Sequence, residues 1–152
     1  IASEISDAIC TTFVTAIERE DIEALSMALY RIPKTVLKIG ERILLAPHLV
    51  RGIELGKQVA MMEKATDTLL AMIKELRKGV HLEKIKAHND LLQAIEGEAD
   101  RLVLDLLKEQ YSGKYEPLTV IFLSDLFDLL EQVTDRCRDA GNVIVHIVLK
   151  NS

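Results

Sequence analysis

Apolar residues recur at steps of three and four along most of the chain. Leu25, Leu29, Ile32, Val36, Ile39 and Ile43 form one such series. Leu126, Leu130, Val133, Cys137, Ala140 and Ile144 form a second, displaced by 101 positions. At about 3.6 residues per turn, each set falls on one face of an α-helix. No stretch alternates apolar and polar residues for long enough to propose a strand. The pattern predicts an all-α fold.

Glycine and proline fall mostly between the periodic stretches and set the expected limits of five helices. The first is expected from the start of the chain to about Thr12. After Phe13-Val14-Thr15-Ala16-Ile17, the acidic run Glu18-Arg19-Glu20-Asp21 suits the positive end of a helix dipole. The second helix is expected from there to about Ala46, kinked at Pro33 and stopped by Pro47. A third spans about Leu49 to Lys78, loosened at Gly52 and Gly56, with Gly79 as its C-terminal stop. The fourth runs from about Leu82 to Gln110. Tyr111-Ser112-Gly113-Lys114-Tyr115 is read as a loop, and Pro117 opens the fifth helix, which lasts to about Leu149. The chain begins inside a helical pattern and without Met, so it is expected to be part of a longer protein.

With 152 residues, the chain is long enough for one well-buried core or for two small bundles side by side. Apolar residues make up 49% and aromatic residues only 4%, so Leu, Ile, Val and Ala must fill the core, as helix-on-helix packing favours. Met27, Met61, Met62 and Met72 are read as gap fillers in that core. A net charge of −5 gives no general attraction to nucleic acid, which requires a basic footprint. No apolar run approaches the roughly 18 residues that span a bilayer, so membrane association is expected only through a partner. Cys10 and Cys137 are isolated and are read as reduced core thiols, which points to the cytoplasm.

The candidate chemistry lies in five carboxylates, Glu96-x-x-x-Asp100 and Glu131-x-x-x-Asp135-x-x-x-Asp139. Like charges four apart on a helix are neighbours and destabilise it by about 0.2–0.5 kcal/mol per pair. A cation held between two such strips turns that repulsion into a binding site. Two readings stay open. Asp128, Glu131, Asp135, Asp139 and Asn142 share an arc opposite the apolar stripe and suit a solvated face, with Asp135–Arg138 and Arg136–Asp139 pairs along it. Alternatively, Asn89, Gln93, Glu96 and Asp100 form a strip that runs on into Val103 and Leu107, so it is expected to be partly covered. A groove between the fourth and fifth helices then gathers Glu96, Asp100, Glu131 and Asp135, with Asp139 extending it.

Oxygen-only ligands favour Mg²⁺, Ca²⁺, Mn²⁺ or carboxylate-bound iron. Ferritin-type chemistry needs Glu-x-x-His, and none of His48, His81, His88 or His146 has a Glu three residues before it. His88 is read as a packed or capping residue, and His146 as a distant candidate ligand one turn past the acidic arc. At the offset of 101, Glu131, Asp135 and Asp139 correspond to Tyr30, Lys34 and Lys38. Lys34, Lys38 and Arg42, with Arg31 at the edge, therefore form a basic strip. It is open to solvent exposure, to anion binding, or to docking against the acidic strip of another subunit.

The run from Phe13 to Asp21-Ile22 resembles the corresponding turn of PhoU-like phosphate-transport regulators, more specifically the Pit accessory proteins. Ile95-Glu96-Gly97-Glu98-Ala99-Asp100-Arg101 and Leu130-Glu131-Gln132-Val133-Thr134-Asp135-Arg136-Cys137 resemble the second half of that pattern. Asn142 and Val148-Leu149-Lys150-Asn151 extend the likeness, which covers essentially the whole chain. The resemblance implies two three-helix repeats, here residues 1–79, with the first helix largely missing, and residues 80–152. It further implies a metal ion at the bundle surface, held by Glu96, Asp100, Glu131 and Asp135 with Asp139 adjacent. The ion is divalent or trivalent, with iron, magnesium, manganese, calcium and zinc left open.

The first repeat departs from the pattern. Its acids on the second helix are replaced by Tyr30 or Arg31 and Lys34, which cannot serve as metal-binding carboxylates, and the acidic motif of its first helix would precede Ile1. The resemblance implies a non-enzymatic cytoplasmic regulator of phosphate uptake. It would act as a homo-oligomer by docking on a phosphate transporter or its regulatory proteins. Two rivals remain. One is a metal-dependent phosphohydrolase, for which no phosphate-cradling glycine loop or nucleophile–base pair is found. The other is a metal-free helical scaffold.

Overall fold

Five helices carry almost all of residues 17–78 and 81–151, the residues described by the computed structural model. They are α1 (Arg19–Leu45), α2 (Pro47–Val50), α3 (Gly56–Lys78), α4 (Leu82–Gln110) and α5 (Pro117–Lys150). No strand occurs among the described residues, so the fold is all-α. The expected first helix, with Cys10, Phe13 and the following residues to Ala16, lies outside them, as does Gly79.

The organising element is α5. Pro117 occupies its first turn, where the missing N–H costs nothing. Leu123, Leu126, Phe127, Val133, Cys137, Ala140 and Ile144 are all completely buried. Full burial of a Leu, Ile or Phe side chain contributes about 1.5–3 kcal/mol. So broad an apolar face needs more than one neighbour. On one side α5 packs against α1, and on the other against α3 and α4, which also pack on each other. Among the described residues α1 makes no packing contact with α3 or α4. The division at residue 79 drawn from the sequence falls between two helices that pack together, and the three-helix unit α3–α4–α5 crosses it.

The apolar echo between α1 and α5 is therefore one of sequence rather than burial. Ile32 and Ile39 are buried, but Val36 is 45% exposed where its counterpart Cys137 is fully buried. A continuous helix passes through Pro33, whose side chain is exposed. One turn back from Thr35, the Arg31 carbonyl accepts the threonine hydroxyl at 2.9 Å. The expected single helix from Leu49 to Lys78 is corrected. Pro47–Val50 makes one turn, and Arg51–Leu55 is irregular. Gly52 takes φ +86°, a left-handed conformation that glycine adopts without a Cβ penalty. The chain is redirected there, and α3 begins at Gly56.

None of the helices among the described residues is long and apolar enough to cross a membrane.

Candidate metal centre

The centre is set by the register between α4 and α5. Asn89 Nδ2 donates to Asn142 Oδ1 at 3.1 Å, Arg138 reaches Glu96, and the Asp100 and Glu131 carboxyls share a hydrogen bond. Each step along α4 is matched by a step backward along α5, so the helices run antiparallel. Gly141 lets them come close. A Cβ there would lie 2.6 Å from Leu92 Cδ1 and 2.7 Å from Asn89 Oδ1.

The acidic residues lie where the buried faces of the two helices meet solvent. Glu96 and Asp135 side chains are 19% and 29% exposed, while Asp139 is on the outer rim at 42%. Asp128, further along α5, is exposed. The arc on α5 is thus only partly a solvated face; its inner edge is roofed by α4.

Two devices hold this negative charge together. Arg138 donates through Nη1 to Glu96 on α4, and through Nη2 it pairs with Asp135 Oδ1 at 2.8 Å and Asp139 Oδ1 at 3.1 Å. Burial opposes its charge, but hydrogen bonding to Asp139 and the charges of Asp135, Glu96 and Asp139 raise the guanidinium pKa above its ordinary value. Arg136 adds a weaker pair to Asp139 Oδ2 at 3.5 Å. The second device is a proton. Burial pushes the Glu131 carboxyl up to about 7, reinforced by its hydrogen bond with Asp100 and by the charges of Asp135, Asp100 and Glu96. Near neutral pH the Glu131 carboxyl therefore still holds a proton much of the time.

Glu96, Asp100, Glu131 and Asp135 lie near one another along the α4–α5 seam, with Asp139 beside them. As they stand, no three Asp, Glu, His or Cys side chains among the described residues converge on a single ion position. Arg138 already pairs with three of the acids, Glu96, Asp135 and Asp139. The donor set itself, four carboxylates of which one is reluctant to ionise, fits a hard cation. Such a cation would stand in for the proton and the guanidinium together.

The remaining candidates lie elsewhere. His146 is exposed, and His88 Nδ1 lies 2.7 Å from the Lys84 carbonyl, a local contact within α4. On α1, Lys34 Nζ lies 5.8 Å from the centre of the Tyr30 ring, and Arg42 lies 3.7 Å from Asp125 of α5. Lys38, Glu41, Arg42, Leu45 and Leu129 line a surface groove of about 450 Å³ between α1 and α5. Two residues beside these acids escape the sequence pattern. Spacing pairs Arg138 only along its own helix, although its other end crosses to α4. Gln58 of α3 does not stand out at all; it is buried and lines a small cavity with Glu131 and Thr134. Its position one heptad before Ala65 and two before Met72 is the available signal.

No protein-family model matches the chain. The chain is similar to UPF0111 protein YkaA of Bacillus subtilis (strain 168), with 24% identity over 140 residues. The match covers 92% of this chain and 68% of that protein. A stretch of that length takes in all five acidic residues wherever it starts.

Proposed function

We propose that this protein is a PhoU-like regulator of inorganic phosphate transport, of the Pit accessory kind. It acts in the cytoplasm by protein–protein contact with a transporter or its regulatory proteins, as a homo-oligomer and without catalysing a reaction. The observation that carries this reading is the nearness of Glu96, Asp100, Glu131 and Asp135 to one another along the α4–α5 seam. Those residues belong to the two segments whose motifs resemble the family. The similarity to UPF0111 protein YkaA along nearly the whole chain supports it.

In this reading Glu96, Asp100, Glu131 and Asp135 hold a divalent or trivalent ion, with Asp139 beside it. A bound ion supplies the positive charge that the acids otherwise draw from within the protein. Glu131 gives up its proton. Arg138 no longer has to neutralise Glu96 and Asp135, so its guanidinium becomes available to a partner at the groove rim. The groove thereby presents different charge to that partner with and without the ion.

Phosphate uptake in cells lacking the gene tests the proposal. Loss of phosphate-dependent control is expected on deletion, restored by the wild-type protein but not by an Asp100→Asn/Glu131→Gln variant that still folds. Unchanged uptake and unchanged phosphate signalling on deletion would remove the reading.

A further inference from the structure

Gln58 stands in the first turn of α3, on the face that α3 buries together with Ala65, Leu69 and Met72. Its side chain is 7% exposed, and its Oε1 is shut off from solvent without a hydrogen-bond partner. Leaving a buried carbonyl oxygen unpaired costs stability, because its hydration is lost without replacement. An apolar residue at this position would avoid that cost.

The cavity beside Gln58 measures about 10 Å³. That is room for about one water-sized occupant, a water molecule or a single ion. Leu102, Val103 and Leu130 supply apolar walls, and the polar lining comes from Gln58, Glu131 and Thr134. The Thr134 hydroxyl proton is already committed to the Glu131 main-chain carbonyl at 2.7 Å, so toward the cavity this group too offers lone pairs. Polar residues of two helices, Gln58 of α3 and Glu131 with Thr134 of α5, thus border a space of ionic size, and Glu131 is also the partner of Asp100.

We propose that Gln58 is an oxygen ligand, contributed by a third helix, to the cation held by Asp100 and Glu131. This rests on the metal-binding reading above and deepens it. The site spans α3, α4 and α5, and a neutral carbonyl joins the carboxylates, an oxygen donor that hard cations accept readily. Ion binding then ties the start of α3 to the α4–α5 seam.

The test is calorimetric titration of chelator-stripped protein with Mn²⁺, comparing wild type with Gln58→Leu, Gln58→Glu, Asp100→Asn and the exposed neighbour Lys57→Gln. Gln58→Leu is expected to weaken Mn²⁺ binding by roughly tenfold or more, the range seen when groups supporting a metal are removed. Gln58→Glu should bind at least as tightly as wild type, Lys57→Gln within about twofold of it, and Asp100→Asn not measurably. If Gln58→Leu does not fold, Gln58→Glu carries the test alone, and an affinity weaker than wild type would overturn the assignment. Wild-type affinity in Gln58→Leu, with binding lost in Asp100→Asn, would reduce the cavity to a water site and leave the metal reading intact. Failure of the wild-type protein to bind Mn²⁺ at all would remove that reading and the Gln58 assignment with it.

Discussion

At Glu131, burial and like charge act in the same direction. Burial comes first, then the hydrogen bond to Asp100, then the negative charges of Asp135, Asp100 and Glu96, and together they move the carboxyl from 4.5 to about 7. Between those two values the folded protein holds a proton that the unfolded chain has released. The stabilising contribution is therefore fully present below pH 4.5 and lost as pH rises through about 7. For protein kept in chelator, we expect this group to account for a fall of roughly 1–3 kcal/mol across that window. Glu131→Gln, a neutral isostere, should lack that part of the fall. Urea melts at pH 5 and pH 8 measure it as the difference between the two proteins; parallel declines would show that the source lies elsewhere. Cys137 gives a second prediction. Burial raises its thiol to about 12, and the residue is fully enclosed. In a Cys10→Ser background it should resist thiol–disulfide exchange reagents until urea unfolds the protein, because the thiolate is the reactive form. Fast labelling of the native state would contradict the buried placement. How far such residues are legible in the sequence depends on the range of their partners. Spacing along one helix gives the Asp135–Arg138 pair, found at 2.8 Å. The same arginine's bond to Glu96, 42 positions away, depends on helix register and leaves no local trace.

At the level of elements, the limits of α4 and α5 follow from the sequence to within about a residue at both ends. Long periodic runs flanked by Gly79, Gly113 and Pro117 leave little choice of limits. The break between α2 and α3 is less legible, because the apolar pattern continues across it. Gly52 and Gly56 suggest a loosened helix rather than an interrupted one, whereas Gly52 takes a positive φ and ends the helical run. Two glycines in the α4–α5 pair separate propensity from packing. A Cβ added at Gly97 would have nothing within 4 Å, so Gly97→Ala should stabilise the protein by about 0.5–1 kcal/mol through helix propensity alone. At Gly141 the same substitution meets Leu92 Cδ1 at 2.6 Å and Asn89 Oδ1 at 2.7 Å. Leu92 is 1% exposed and Asn89 is held by its bond to Asn142, so neither yields freely. Overpacking of this kind costs about 1–3 kcal/mol and should outweigh the propensity gain. Thermal melts of the two variants are expected to shift in opposite directions. Stabilisation by both would mean that the helices separate easily at Gly141 and that the register of the acidic groove is soft.

For the molecule as a whole, the placement of α1 has the largest consequence. It packs on α5 and touches neither α3 nor α4 among the described residues, while Leu37 and Leu44 on its outer side are 63% and 80% exposed. Fewer buried contacts mean a smaller free energy of local opening, so α1 should open more readily than the three-helix unit that carries the acidic groove. Its first turn is tied to the far end of α5 by Lys150, whose Nζ lies 3.0 Å from Asp21 Oδ1 and 3.0 Å from Glu18 Oε2. Hydrogen bonds to Asp21 and Glu18 raise the Lys150 pKa despite some desolvation, so the ammonium stays charged throughout the physiological range. Asp21 is only 6% exposed. Replacing Lys150 with Met removes a cation that this enclosed carboxylate uses, and a buried charge without its partner is strongly unfavourable. Amide hydrogen exchange on Lys150→Met is expected to show faster exchange in residues 19–30, with protection of α3 and α4 little changed. Adding Asp21→Asn should recover part of the loss, because the stranded charge is then gone. An equal fall in protection across α1, α3 and α4 would instead mean that all the helices open as one cooperative unit. The groove between α4 and α5 would then sense anything that loosens or grips α1, including a partner seated on its basic strip.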